Sequence, residues 1–152
     1  MVFRRLFIFL FICLSFYGKA QTIDSIVVLY KNARHDTDKV RYGAKLSWEY
    51  RQLGSFKEAF DYAQQALDKA QQINYISGIA NASNALAAVY DDQGNFPKAL
   101  TYYLNTLKIH EQLNDELGVC RDYNNIGLLY CHLTNYKTAL EYYNKEIQLA
   151  EK

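Results

Sequence analysis

The sequence predicts an all-α fold, a stack of antiparallel helix pairs, on three observations. The first is an internal repeat with a period of about 40 residues. Tyr50, Tyr90 and Tyr130 stand in one phase, and Ala59, Ala99 and Ala139 in another. Phe56, Phe96 and Tyr136 also recur, as do Gly54 and Gly94. A fixed period of this length marks supersecondary units that bury their apolar faces on one another. The second is helical spacing within a unit. Ile79, Ala82, Leu86, Val89 and Tyr90 form one stripe, and Phe96, Leu100, Tyr103, Leu104 and Leu107 the next. The third is composition: half of the 152 residues are hydrophobic, with one proline and seven glycines. That supplies a core and few helix breakers.

Residues 1–20 are a separate object. Met1 to Arg5 is basic, Leu6 to Tyr17 is apolar apart from Ser15, and Gly18-Lys19-Ala20 puts small residues at the −3 and −1 positions of a cut. This is the layout of a secretory signal peptide over residues 1–20. The apolar run from Leu6 to Tyr17 falls well short of the roughly 20 residues that span a bilayer. Export to a periplasmic or secreted location follows, with an uncleaved membrane anchor as the alternative. Ile12 precedes Cys13 where a lipoprotein signal needs a small residue. Loss of Arg4, Arg5 and Lys19 takes the formal charge from +1 to −2, which gives no electrostatic reason to expect nucleic acid.

Residues 21–37 hold a short closing helix, from Asp24 to about residue 34, that buries Ile26, Val27, Leu29 and Tyr30. In register it matches the second half of a preceding unit. Residues 38–152 form three units, about 40–79, 80–119 and 120–152. Their helices are expected at about 38–53, 55–73, 77–93, 95–113, 117–133 and 135–151. Pro97 sits in a first turn, where its missing N–H costs nothing. Ser55 and Glu58 fit a capping box, S-x-x-E, and Asn95 and Asn135 fit N-caps in the same register. Cys120 and Cys131 fall on one helix, about three turns apart. That is about 16 Å along the axis, too far for a disulfide. Cys120 stands where the preceding unit has Ala80, and reads as a small core residue.

These residues resemble a tetratricopeptide repeat. The family pattern is W-x2-L-G-x2-Y, then A-x3-F, then a proline. Tyr123, Ile126, Gly127, Tyr130, Ala139 and Tyr143 fill it in the third unit; Ser83, Leu86, Ala87, Tyr90, Ala99 and Tyr103 in the second; Gly43, Leu46, Ser47, Tyr50, Ala59 and Ala63 in the first. The resemblance covers about residues 40–152 and implies a right-handed superhelical solenoid. Gln71, Glu111 and Glu151 stand where the family has its closing proline, so the second helix runs on and the unit is longer than the family's usual one. The signal segment, the Asp24-Ser25 helix start and the long units are similar to the exported front ends of bacterial two-component sensor kinases and related regulators.

No nucleotide loop, metal-spaced set or nucleophile motif appears, so neither a cofactor, a metal nor catalysis by this chain is expected. His35, His110 and His132 are scattered, His132 reads as a surface histidine, and Asp91-Asp92 reads as a solvated helix end. Of the 14 tyrosines, Tyr50, Tyr90, Tyr103, Tyr130 and Tyr143 occupy packing positions. The resemblance implies that the first helix of each unit lines a concave groove. It carries peptide-binding roles to Arg41, Lys45, Trp48 and Arg51 in the first unit and to Asn81 and Asn84, with Asp91, in the second. In the third it points to Arg121, Asn124 and Asn125, with His132. Asn84 and Asn124 recur in phase without being apolar. In similar repeats such asparagines hold a peptide backbone through paired amide hydrogen bonds; ordinary solvated positions are the alternative. Arg41, Lys45 and Arg121 are compatible with an acidic ligand, but they do not reproduce the carboxylate clamp of chaperone-binding repeats, so the resemblance does not extend to that specificity. Removal of Asn84 and Asn124 is then expected to abolish binding at no cost in stability.

Lys152 ends the last helix with no polar capping helix behind it, although solenoids need polar terminal units. Leu140, Tyr143, Ile147 and Ala150 are left for something to cover. The expectation is an exported protein- or peptide-binding scaffold, the sensory or interaction front end of a signalling protein. The alternatives are the N-terminal part of a sensor histidine kinase or cyclase whose catalytic part lies beyond residue 152, and a module that self-associates end to end.

Overall fold

Small side chains at the helix crossings fix the architecture. Ala59, Ala99 and Ala139 are buried, and so are Ser47, Ala87 and Gly127 on the other helix of each pair. A Cβ added at Gly127 would come within 2.6 Å of the Tyr143 ring, and one at Gly43 within 3.0 Å of the Ala66 Cβ. Backbones can approach this closely only where no bulk intervenes.

The computed structural model describes residues 22–151. Helix α1 covers residues 22–31. It is followed by α2 (Asp36–Gln52), α3 (Phe56–Gln72), α4 (Ile76–Asp92), α5 (Phe96–Leu113), α6 (Glu116–His132) and α7 (Tyr136–Ala150). No strand occurs among the described residues. The chain is therefore an all-α, tetratricopeptide-like solenoid. Each repeat helix lies within two residues of its sequence-based bounds. The signal-peptide expectation lies outside the described residues.

Helices α2 and α3, α4 and α5, and α6 and α7 pair within units; α3 packs on α4 and α5 on α6, while α2 also touches α4. Leu46, Leu86 and Ile126 hold the same register and are fully buried. Each stabilises the fold by about 1.5–3 kcal/mol through burial. Tyr50, Tyr90 and Tyr130, expected in the core, are half-buried instead, and each stacks on a second tyrosine of its own unit. Tyr50 meets Tyr62 at 5.5 Å, Tyr90 meets Tyr102 at 5.7 Å, and Tyr130 meets Tyr142 at 5.8 Å. One offset stack thus recurs at every unit and adds to the area each pair buries.

Every inter-helix turn in the repeats closes the same way. Gly54 N–H donates to the Arg51 carbonyl and Ser55 N–H to that of Tyr50; Gly94 with Asn95, and Thr134 with Asn135, repeat the pattern. These are Schellman closures, which need a left-handed residue. Gly54 and Gly94 supply it at φ +74° and +72°. Thr134 takes φ +56° in the third unit, and Asn74 and Asn114 do so between units. For a β-branched residue that conformation costs about 1–2 kcal/mol of strain.

Some expectations change. The Asn95 and Asn135 side chains do cap their helices, accepting from Lys98 N and Thr138 N, and Asp115 caps α6 in the same manner. Ser55 does not: it stands at the N-cap of α3 without a side-chain cap bond. Helix α1 buries Ile23 and Ile26, while Leu29 is 48% exposed. Its inward face matches the register of the second helix of a unit, so Leu29 falls outside the stripe. Cys120 is only half-buried.

The crossing at Ala99 gives the sharpest test of this packing. Ala99→Leu should overfill it and cost about 1–3 kcal/mol. Urea unfolding followed by circular dichroism measures this, and a midpoint equal to wild type would contradict the assignment.

Candidate groove and its buried support

Helices α2, α4 and α6 turn one face each to a common concave groove of about 580 Å³. The repeat register sorts its lining into columns. Arg41, Asn81 and Arg121 form one edge. Asn84 and Asn124 come next, with Asn125 beside them. Trp48, Ala88 and Leu128 make an apolar strip down the middle, and Arg51, Asp91, Asp92 and His132 form the far edge. Of the residues the sequence assigns to this surface, Lys45 alone is not among the lining. It is solvent-exposed on α2, one helical step of about 100° from Ala44, which does face in.

The far edge is closed by an ion pair and a hydrogen bond between successive inner helices. Arg51 Nε stands 3.4 Å from Asp92 Oδ2, and His132 Nδ1 is 2.9 Å from Asp91 Oδ1. Asp91 is thus not the solvated helix end that the sequence suggests; it is buried, and His132 ties it to α6. Burial raises the Asp92 carboxyl above its ordinary value, against the pull of Arg51. The Arg51 guanidinium also lies over the Trp48 ring at 4.5 Å. At the near edge Arg41 makes an exposed pair with Asp38 at 2.9 Å. Such pairs are worth little in water. Among the described residues Arg121 has no ion-pair partner, and Ser47 Oγ, buried at the groove floor, has no hydrogen-bond partner.

Beneath the asparagines lies a polar cluster that the sequence does not disclose. Asp122 is fully buried. Its Oδ2 meets His110 Nδ1 at 2.6 Å, and its Oδ1 accepts from Thr106 Oγ1 at 3.1 Å and from Asn84 Nδ2 at 3.0 Å. Burial pushes this carboxyl up from its ordinary value, while the bonds from His110, Thr106 and Asn84 hold it down. A carboxylate can only accept. Asn84 must therefore point its nitrogen inward, which leaves its oxygen to accept from Asn125 Nδ2 at 3.4 Å. Both ends of the Asn84 amide are engaged. Asn124 differs, since its nitrogen donates to Glu146 at the surface at 3.3 Å. One signal could have revealed the cluster: Asp122 stands at an inward register where the other units have Tyr42 and Ala82.

Two family models described as tetratricopeptide repeat match the chain, one over residues 78–152 and one over residues 42–74. The chain belongs to the tetratricopeptide repeat family. Among solved structures, the tetratricopeptide repeat domain of Arabidopsis FLU superposes with a TM-score of 0.68 at 20% identity, covering 77% of this chain and 98% of that one. A Rap protein complexed with Competence and Sporulation Factor gives 0.80 at 20% identity over 91% of this chain. Aspartyl phosphate phosphatase F from Bacillus subtilis gives 0.75 at 14% over 90%. This repeat chain spans 40% and 37% of those last two. At such identities the likeness is one of fold. No curated protein sequence matches. A tetratricopeptide repeat chain is a scaffold for protein interaction, and its partners are proteins or peptides; the fold ordinarily binds and does not catalyse.

The two phased asparagines should separate on mutation. Asn84→Ala removes a donor from a buried carboxylate and should destabilise by about 1–3 kcal/mol. This replaces the expectation that its loss is free. Asn124→Ala should stay within about 0.5 kcal/mol of wild type. Chemical unfolding of the two variants decides, and equal midpoints would refute the division of roles.

Proposed function

We propose that this protein holds an extended segment of a partner protein in the groove of α2, α4 and α6, without catalysing a reaction, as the exported front end of a signalling protein. The alignment of donor-rich and apolar columns across three successive inner helices carries this reading. An extended peptide rises about 3.3 Å per residue, so one segment can meet all three columns in turn. The fold likeness to a Rap protein solved with Competence and Sporulation Factor supports it. Within this proposal Asn81, Asn124 and Asn125 keep amide capacity for a peptide backbone, and Asn84 acts by fixing Asn125.

The exposed face of α7 favours a second reading. Leu140 and Ile147 are 60% and 52% exposed, in the register where α3 and α5 receive the next inner helix. A further unit of a longer chain, such as the catalytic part of a kinase or cyclase, or a second copy in end-to-end association, fits that face.

Two measurements separate these proposals. Co-purification from source cells should recover a partner with the wild-type protein and lose it with Arg121→Ala and Asn124→Ala combined, whereas Lys108→Ala on the outer helix α5 should retain it. Retention by the groove variant would remove the groove from the reading. Blotting native cells gives the size of the gene product. A band well above 17.7 kDa is expected of a front end continued past α7. A band slightly below that mass would show a cleaved, stand-alone chain and leave α7 to a partner or a second copy.

A further inference from the structure

Each junction between units turns on four register positions, three in one unit and one on the inner helix that follows. Between α3 and α4 they are Ala44, Ala66, Ala70 and, on the following helix, Ala82. That junction is apolar. Between α5 and α6 they are Asn84, Thr106, His110 and Asp122. There the first three are bonded to the Asp122 carboxylate, so the slot gathers donors around an acid. On α6 and α7 the same three positions hold Asn124, Glu146 and Ala150. The slot has changed sign. Asn124 already gives its nitrogen to Glu146 at 3.3 Å, and Glu146 has no ion-pair partner among the described residues. The neighbouring Lys145 is engaged elsewhere, its ammonium 4.7 Å from the centre of the Tyr142 ring. Ala150 replaces the bulk of His110, which leaves room for a longer incoming side chain. Around this slot the apolar positions that the internal junctions cover stand open. Leu67 and Leu107 are 6% and 9% exposed, against 52% for Ile147 in the same register. Leu140 is exposed where Phe60 and Leu100 are half-buried.

We propose that α7 docks an amphipathic helix of a separate protein, which brings an arginine or lysine to Glu146 and carries aliphatic residues three positions before it and four after. This rests on the second reading above, that the α7 face is to be covered, and names the chemistry of what covers it. The spacing is that of α6, where Val119 and Ile126 flank Asp122 and share one buried cluster with Leu107 of α5. A cation in place of Asp122 answers the reversed slot, and a guanidinium can match the carboxylate through two parallel hydrogen bonds. Charge argues against a second copy. The inner helices of this chain bring Tyr42, Ala82 or Asp122 to the slot; none can neutralise Glu146, and Asp122 would repel it. The state of Glu146 argues for a reversible contact. It is half-buried and bonded in the free chain, and full desolvation of a carboxylate is offset only when a well-placed cation is present.

The probe is the α6 sequence itself, Glu116–His132, as a labelled synthetic peptide carrying Asp122→Arg. It would be titrated into the full chain under reducing conditions and followed by fluorescence anisotropy. It should bind along a saturating curve, and the unaltered α6 peptide at least about tenfold more weakly. Glu146→Arg in the protein should invert that preference, which a loss of structure could not do. Ile147→Asn should weaken both peptides, and Lys108→Glu on α5 should change neither. Raising salt from about 50 to about 500 mM should narrow the gap between the peptides. Equal binding of the two would overturn the cationic slot and leave the covered face standing. No saturable binding of either peptide to any form would overturn both. Self-association of the chain that is lost with Ile147→Asn would give the face to a second copy. A native gene product, purified from source cells, that does not take the peptide although this chain does would give it to a later segment of the same protein. Either result would overturn the separate partner.

Discussion

A helix pair can carry a groove only if its two helices lie close enough to act as one rigid plate. Here that closeness comes from side chains that are nearly absent. Ala59, Ala99 and Ala139 on one helix of each pair, and Ser47, Ala87 and Gly127 on the other, are buried, and a single added carbon at Gly127 would meet the Tyr143 ring. Once the crossing distance is set, Leu46, Leu86 and Ile126 fill the space above it, and the tyrosine pairs stack beside it. The inner helices then fall at regular intervals, and positions one period apart in the chain become neighbours across the groove.

That regularity explains what the sequence can show. Helices, turns and the groove columns repeat, so the evidence for each is threefold, and a position such as Asn95 is confirmed by Asn135 in the same phase. Lys45 escapes its expected column because a family register locates a column only to within one helical step. Leu29 escapes its expected stripe because α1 has no second copy from which to read an inner face. The Asp122 cluster is hidden for a different reason. His110, Thr106 and Asp122 come from adjacent helices that meet only on folding, and the combination occurs in one unit alone. Periodicity reveals what units share; what distinguishes them must be read from contacts. The Tyr62, Tyr102 and Tyr142 series does repeat, yet its partners lie across the pair, where spacing within one helix says nothing.

The stack is also uneven along its length. The middle unit is covered on both sides, and α4 buries nine residues, Asp91 among them. The last helix buries one, Ala139. Local opening follows the density of buried contacts, so order should decline toward α7. The polar ties that cross between inner helices, Arg51 to Asp92 and Asp91 to His132, run against this gradient. They hold the groove's far edge together where apolar packing thins.

The relay from Asp122 through Asn84 to Asn125 has a consequence beyond stability. Which atom the Asn125 amide turns outward is decided by a carboxylate that solvent does not reach. Exchanging that one interior residue for a donor would reverse two amides in turn and invite a different hydrogen-bonding partner at the surface. Recognition in this array can thus be retuned from within. A comparison of relatives confined to groove-lining positions would overlook the residue that sets their polarity.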